Sequence, residues 1–158
     1  SKCMRGKKSI KREIIPDPKF ANATVAKLIN HIMLNGKKTV AQGIVYDAFE
    51  LMNKKTKEDP IETFEKALKN VMPSLEVKSK RVGGANYQVP MPVRGDRRYV
   101  LTFRWIITAA RSKKGRRMAE KLSDELCAAA IGEGDAVKKK LDVQRMAEAN
   151  RAFAHFAK

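Results

Sequence analysis

The sequence predicts a mainly α protein: a six-helix bundle with a protruding two-stranded β-hairpin arm and a basic N-terminal extension. Three observations carry that prediction. Apolar residues recur at i, i+3 and i+4 in separate windows, the period of a helix with one buried face. One stretch breaks the period, where the β-prone runs Leu75 to Arg81 and Asn86 to Val89 flank Gly83-Gly84. Glycines at both central positions of a tight turn take φ > 0 without steric cost. The first eighteen residues hold few core-forming side chains and end in Pro16-Asp17-Pro18, so they read as an extended basic arm. The 158 residues therefore divide into the arm 1–18, a helical domain 19–149 that includes the hairpin arm 74–91, and a tail 150–158 holding Phe153 and Phe156.

The elements follow in order. Val25, Leu28, Ile29, Ile32 and Met33 mark the first helix, which Asn35-Gly36 ends. A second runs from about Lys37 to Lys54 with Val40, Ile44, Ala48, Leu51 and Met52 inward. Asp59-Pro60-Ile61-Glu62 is a helix start: an N-cap acid, proline at the first helical position and glutamate at the third. Phe64, Ala67, Leu68 and Val71 form that helix's stripe and Pro73 ends it. In the hairpin a two-residue Gly83-Gly84 loop sets Val82 opposite Ala85, Lys80 opposite Tyr87 and Lys78 opposite Val89. Neither face is then apolar throughout, so the ribbon is expected to project from the body with a mobile tip. A fourth helix reads from about Gly95 to Arg111 with Val100, Phe103, Ile106, Ile107 and Ala110 inward; Arg97, Arg104 and Arg111, seven apart, share one face. After the basic turn Ser112 to Arg117 a fifth helix places Met118, Leu122, Leu126 and Ala129 inward and ends at Gly132 and Gly134. Asp135 is the expected N-cap of a sixth, through about Ala149, with Val137, Leu141 and Met146 on its apolar side and Lys138, Lys139 and Lys140 exposed.

Charge points to the partner. Thirty-four Lys and Arg face seventeen acids, a net charge of +17. Between Lys78 and Arg117 stand twelve bases and one acid, Asp96. Such a field attracts polyanions, and a nucleic-acid backbone is the densest of these. The candidate phosphate contacts are Lys37, Lys38, Lys78, Lys80, Arg81, Arg94, Arg97, Arg98, Arg111, Lys113, Lys114, Arg116 and Arg117, joined by Arg5, Lys7, Lys8, Lys11 and Arg12 in the arm and by Lys138 and Lys139. Gly36-Lys37-Lys38 at a helix start suits a phosphate, with free N–H groups beside two ammonium groups; two solvated lysines in a loop are the plainer alternative. Tyr87 either stacks on a base or braces the hairpin across the strands. Trp105 reads as a half-buried packing residue, and His31 as a helix-surface or packing residue rather than a ligand.

Other classes of function find no support. No run of about eighteen apolar residues exists to span a membrane, and the polar, basic N-terminus lacks the apolar core of a signal peptide. Cys3 and Cys127 are too far apart and too few for a disulfide framework or a zinc site; Cys127 fits a small buried hydrophobe in a reducing compartment. No P-loop, dinucleotide fingerprint or nucleophile elbow occurs. No enzyme and no cofactor are expected.

Particular segments go further: Pro16-Asp17-Pro18-Lys19-Phe20, Asn35-Gly36-Lys37-Lys38, Val77-Lys78-Ser79-Lys80-Arg81-Val82-Gly83-Gly84, Tyr87-Gln88-Val89-Pro90 and Met146-Ala147-Glu148-Ala149-Asn150-Arg151-Ala152-Phe153-Ala154-His155. From about Ile14 to His155 the chain resembles the bacterial form of the small-subunit ribosomal protein seven family. The resemblance implies a six-helix body with a hairpin. It implies primary binding to the 3′ major domain of small-subunit ribosomal RNA, early in assembly of the subunit head. It also implies that the hairpin and C-terminal region, with Arg81, Val82, Gly83, Gly84, Tyr87 and Arg145, lie near the exit-site transfer RNA and the messenger RNA path. The implied protein partners are small-subunit ribosomal proteins nine, eleven and nineteen, and the implied location is the cytoplasmic ribosome, with an organelle ribosome also open. One departure is Gly95-Asp96, where the family pattern has a proline and no acid. The alternative reading is an architectural DNA-binding protein with a β-arm, whose tip normally carries an apolar or proline wedge; here only Val82 qualifies.

Overall fold

The computed structural model describes residues 13–157, so the basic residues of the first twelve lie outside the described region. Among the described residues there are six α-helices and one hairpin: α1 Ala23–Ile32, α2 Lys38–Thr56, α3 Pro60–Val71, β1 Leu75–Val82, β2 Ala85–Pro92, α4 Asp96–Ser112, α5 Met118–Ile131 and α6 Asp135–Ala149, followed by a 3-10 helix Arg151–Ala157. Helix α5 is the axis. It packs against α2, α3, α4 and α6, while α1 closes the far side on α2 and α4.

Local chemistry sets most boundaries. Asn22 caps α1, its side-chain oxygen accepting from Thr24 N at 2.7 Å and Val25 N at 3.4 Å. Asp59 caps α3 by accepting from Ile61 N at 3.1 Å, with Pro60 opening the helix. Gly132, at φ +88°, ends α5 in a left-handed cap with Glu133 N–H donating to the Ala128 carbonyl at 2.9 Å. At the start of α4 Gly95 takes φ +56°, and Asp96 lies 3.8 Å from Lys27 of α1. Asp96, where the resemblance implied no acid, thus links two helices.

The core is aromatic at its centre. Phe49, Phe64 and Phe103 are fully buried, and the rings of Phe49 and Phe64 lie 5.4 Å apart. The stripes expected on α1 and α3 are the buried ones. On α2 the expected Ala48 and Met52 are buried, but Ala41, Val45 and Phe49 complete the buried face, one position round from Val40, Ile44 and Leu51; Ile44 and Leu51 are partly buried against the core and Val40 is 58% exposed. Both tracks are apolar, and the one containing Phe49 removes more apolar surface from water. Helix α6 also differs. Its fully buried residues are the small Ala136 and Ala147, while Leu141 and Met146 are about half exposed. Small side chains let α6 lie close to α4 and to β1, which it contacts. Its cap is Gly134, with Asp135 the first helical residue rather than the N-cap.

Asp17 is buried before the first helix. Its carboxylate accepts from Lys19 N at 3.1 Å, Phe20 N at 3.2 Å and the Tyr46 hydroxyl at 2.7 Å. Phe20 then stacks at an angle on Phe49, 5.3 Å away.

The hairpin pairs antiparallel with Val82 opposite Ala85, Lys80 opposite Tyr87 and Lys78 opposite Val89, the expected register. Its base is not free, however. Val89 is fully buried, Pro90 is buried, and β2 packs against the C-terminal 3-10 helix. Tyr87 sits 5.1 Å from the ring of Phe153 and 5.2 Å from that of Phe156. Of the two roles open to Tyr87, a base platform or a cross-strand brace, the structure shows neither directly; its ring packs on the tail. Burying a valine fully is worth about 1.5–3 kcal/mol, so Val89→Ala should lower unfolding stability in urea by about 1–3 kcal/mol. Arg81→Ala, further out on the same ribbon, should stay within about 0.5 kcal/mol. Equal, small losses would show that the whole ribbon is dispensable to the body.

Glu125, on the inner face of α5, is fully buried. One oxygen accepts from Ala136 N in the first turn of α6 at 2.9 Å; the other lies 2.7 Å from Lys113 Nζ. Gly134 makes this possible. At φ +99°, ψ 168° it occupies a region only glycine enters freely, and a Cβ there would stand 2.9 Å from Glu125 Oε1. Gly134→Ala should therefore cost more than the roughly 1–3 kcal/mol of the backbone conformation alone. Gly115→Ala also has positive φ (+81°) but open space around the new methyl. It should cost less; thermal unfolding of the two variants side by side decides.

Candidate nucleic-acid interface

The cations gather on four elements. Lys37 and Lys38 begin α2; Lys78, Lys80 and Arg81 lie on β1; Arg94, Arg97 and Arg98 surround the start of α4; Arg111, Lys113, Lys114, Arg116 and Arg117 occupy its end and the turn to α5. Lys138, Lys139 and Arg145 are exposed on α6. Val82, Gly83 and Gly84 form the hairpin tip, with both glycines at positive φ. Arg5, Lys7, Lys8, Lys11 and Arg12 are outside the described residues.

These side chains fall into two groups. Lys37, Lys38, Arg81, Arg94, Lys114, Arg117, Lys138 and Lys139 are exposed. Among the described residues none of them is in an ion pair. The start of α2 has no side-chain cap, and Gly36 turns the chain at φ +72°. Two lysines at an uncapped helix N-terminus oppose the macrodipole, an arrangement that a bound anion relieves.

The second group is held in place. Arg97 donates to Glu76 Oε2 from Nε at 3.2 Å and Nη2 at 3.1 Å, and Lys78 Nζ lies 2.9 Å from the other oxygen. Arg98 donates to the Val93 carbonyl at 3.0 Å. Arg111 donates to the Ile32 carbonyl at 3.3 Å, which ties the basic end of α4 to the end of α1 just before the Lys37-Lys38 loop. Arg116 lies 3.0 Å from Asp124, which also binds Lys55. Lys80 donates to the Phe156 carbonyl at 2.8 Å. Lys140, expected exposed, is half-buried and donates to the Asn70 carbonyl at 2.7 Å.

The organising acids, Glu76, Asp124 and Glu125, did not stand out in the sequence. Glu125 had a signal, since it falls at i+3 in the inward series Leu122, Leu126, Ala129. Glu76 and Asp124 had none, because each joins a nearby cation, Lys78 or Arg116, to one distant in the chain, Arg97 or Lys55. Burial raises the Glu76 pKa, but the hydrogen bonds and charges of Lys78 and Arg97 outweigh it and hold the carboxyl below its ordinary value. Asp124 is held low chiefly by its hydrogen bond to Lys55, against a desolvation effect that raises it. Burial pushes the Cys127 thiol up, as suits a packing residue.

No group of His, Cys, Asp and Glu among the described residues is arranged to hold a metal ion. No described helix is long and apolar enough to cross a membrane. The fold and surface define a helical, hairpin-bearing protein with exposed cations of the kind that attract polyanions. The family model described as Ribosomal protein S7p/S5e matches residues 4–151. The chain is 58% identical to small ribosomal subunit protein uS7 of Thermotoga maritima, over 97% of this chain and 99% of that one. It is 57% identical to the protein of the same name from Moorella thermoacetica, over 92% and 94%, and likewise to that of Rhodopseudomonas palustris. The chain belongs to the small ribosomal subunit protein uS7 family. It is accordingly a structural, non-enzymatic component of the small subunit, and RNA binding and a place in translation follow from the family.

A lowered folded-state pKa means that the Glu76 contribution is complete above the ordinary glutamate value and disappears as pH falls through it to the folded value. The stability advantage of the parent chain over Glu76→Gln, from urea unfolding, should therefore be constant near neutrality and shrink below about pH 4.5. An advantage that persists unchanged to pH 3 would remove Glu76 as the organiser of Lys78 and Arg97.

Proposed function

We propose that this chain is a primary binder of the 3′ major domain of small-subunit ribosomal RNA and nucleates assembly of the subunit head. In this reading the hairpin and C-terminal region meet the exit-site transfer RNA and the messenger RNA path. Small-subunit ribosomal proteins nine, eleven and nineteen are its protein neighbours. The single observation that carries the RNA-binding part is the set of exposed cations without acidic partners on α2, α6, the β2–α4 link and the α4–α5 turn. Those elements are rigid helices or their immediate ends, so phosphates can be bound without ordering a flexible segment. Ordering costs roughly 1–2 kcal/mol for each backbone residue.

The hairpin suits a different task. Its base is pinned by Val89 and Tyr87, and its tip, Val82 to Ala85, extends beyond those contacts. A pinned ribbon with an adaptable end can touch a ligand next to the RNA without being the anchor. The tip carries no proline, and its lone apolar side chain, Val82, is half-buried, which disfavours the DNA-wedging alternative.

Two variants test the division. Reversing the charges of Lys37, Lys38, Lys114 and Arg117 should prevent entry into small subunits, followed by sedimentation of reconstituted particles. Replacing Val82 to Ala85 by a minimal turn should leave entry intact and alter exit-site transfer RNA occupancy. If the tip variant loses ribosomal RNA while the charge-reversed chain keeps it, the roles are reversed.

A further inference from the structure

Between α4 and α6 lies a groove of about 430 Å³ lined by Arg104, Trp105, Thr108, Ser112, Asp135 and Lys139. Trp105 is half-buried and packs against the core on one side while lining the groove with the rest. Arg104 and Lys139 are exposed and reach it from different helices. Among the described residues Arg104, Lys139 and Asp135 are in no ion pair, so the carboxylate at the start of α6 does not neutralise either cation directly. The Ser112 hydroxyl already donates to the Ala109 carbonyl at 2.7 Å, which leaves its oxygen to accept.

These groups specify a ligand. The indole asks for a flat ring to stack on, and two cations ask for an anion. Asp135 and Ser112 accept hydrogen bonds and so ask for donors, while Thr108 can do either. One unpaired nucleotide of an RNA strand supplies all of these: a base with a π-face and amino or imino hydrogens, a ribose 2′-hydroxyl and a phosphate. A strand is favoured over a free nucleotide because positive charge continues beside the groove, with Lys138 exposed next to Lys139 on α6 and in no ion pair among the described residues. We propose that this groove seats one unpaired RNA nucleotide, with its base on Trp105 and its phosphate between Arg104 and Lys139. The proposal rests on the reading of the chain as a ribosomal RNA binder and assigns a base-recognising site within it.

Trp105 is the only tryptophan, so the tryptophan emission of the whole protein reports this groove alone. The test titrates the full chain with three probes: an unstructured RNA oligonucleotide, an abasic oligonucleotide with the same number of phosphates, and guanosine monophosphate. Binding of each strand is followed in parallel by anisotropy of an end label. The base-bearing strand should quench Trp105 and bind at least fivefold tighter than the abasic one, the lower end of what one stacked base contributes. The abasic strand should bind without quenching, and the mononucleotide should not quench at the concentration where the strand saturates. Arg104→Ala and Lys139→Ala alter exposed side chains only and should each shift the quenching titration to higher RNA concentration. Trp105→Phe should keep most of the preference for the base-bearing strand and Trp105→Leu should lose it, each compared at matched thermal stability. Strand binding with unchanged emission overturns the groove assignment and leaves RNA binding standing. Quenching by the abasic strand reduces the site to a phosphate contact and overturns it as well. Equal quenching by the mononucleotide makes it a free-nucleotide site, also against the proposal. Failure of every strand to bind removes the ribosomal RNA reading and this site with it.

Discussion

The basic end of the molecule depends on one buried carboxylate. Glu125 projects from the inward face of α5, accepts the Ala136 N–H that α6 cannot satisfy within its own first turn, and holds Lys113 of the turn that carries three other cations, Lys114, Arg116 and Arg117. Burying an unpaired carboxylate is prohibitive, so its two partners are obligatory rather than incidental. That requirement couples three things that are separate in the chain: the shape of the 112–117 turn, the position of α6, and the glycine at 134 that gives the carboxylate room. The groove beside Trp105 inherits its geometry from the same arrangement, since its two walls are α4 and α6.

The wider constraint is scarcity of acids. With seventeen carboxylates among thirty-four bases, a polyanion-binding surface survives only if the acids work where they shape cations without erasing them. Asp17 is spent on a turn and on Tyr46; burial and that acceptor together raise the tyrosine pKa. Glu76 aligns Lys78 with Arg97 across the junction of hairpin and α4, and both cations stay substantially exposed. Asp124 sits beneath Lys55 and Arg116. Lys37 and Lys38 at the start of α2, and Lys138 and Lys139 on α6, are in no such pair among the described residues.

How much of this a sequence discloses depends on whether the governing contact is local. The hairpin register was legible because a glycine pair fixes the loop and the strand period then fixes every pairing. The start of α3 was legible because Asp59, Pro60 and Glu62 act within one turn. The phase of α2 was legible only at Ala48 and Met52, because Val40-Ile44-Leu51 and Ala41-Val45-Phe49 are both apolar tracks beside them. Partners outside the helix, among them Phe20 and Phe64 against Phe49, go with the observed phase. The burial of α6 through Ala136 and Ala147 was missed for a related reason. Large apolar residues advertise a core face, whereas close approach of backbones is carried by small ones. Tyr87 posed a choice between a base and a cross-strand neighbour, and its actual partners, Phe153 and Phe156, lie more than sixty residues on. On the functional surface the cations were visible as density of charge. The acids that orient them were harder to see, since Glu76 reaches Arg97 twenty-one residues on and Asp124 reaches Lys55 sixty-nine residues back.

The internal ion pairs also differ in whether a nucleic acid can replace them, and burial decides which. Arg116 and Asp124 are 64% and 29% exposed at their side chains. A pair of that kind is worth about 0–1 kcal/mol, less than the charge-assisted hydrogen bonds, each about 1.5–3 kcal/mol, that an arginine makes with a phosphate. Arg116 can therefore leave its carboxylate for RNA at small cost, with Lys55 remaining to hold Asp124. Lys113 cannot do the same. Its partner Glu125 has no exposed side-chain surface, and withdrawing the ammonium would strand a buried charge at a cost of several kcal/mol. Two cations three residues apart in one basic turn are thus separated by their carboxylates into different tasks, Lys113 fixing the turn and Arg116 remaining available to a phosphate.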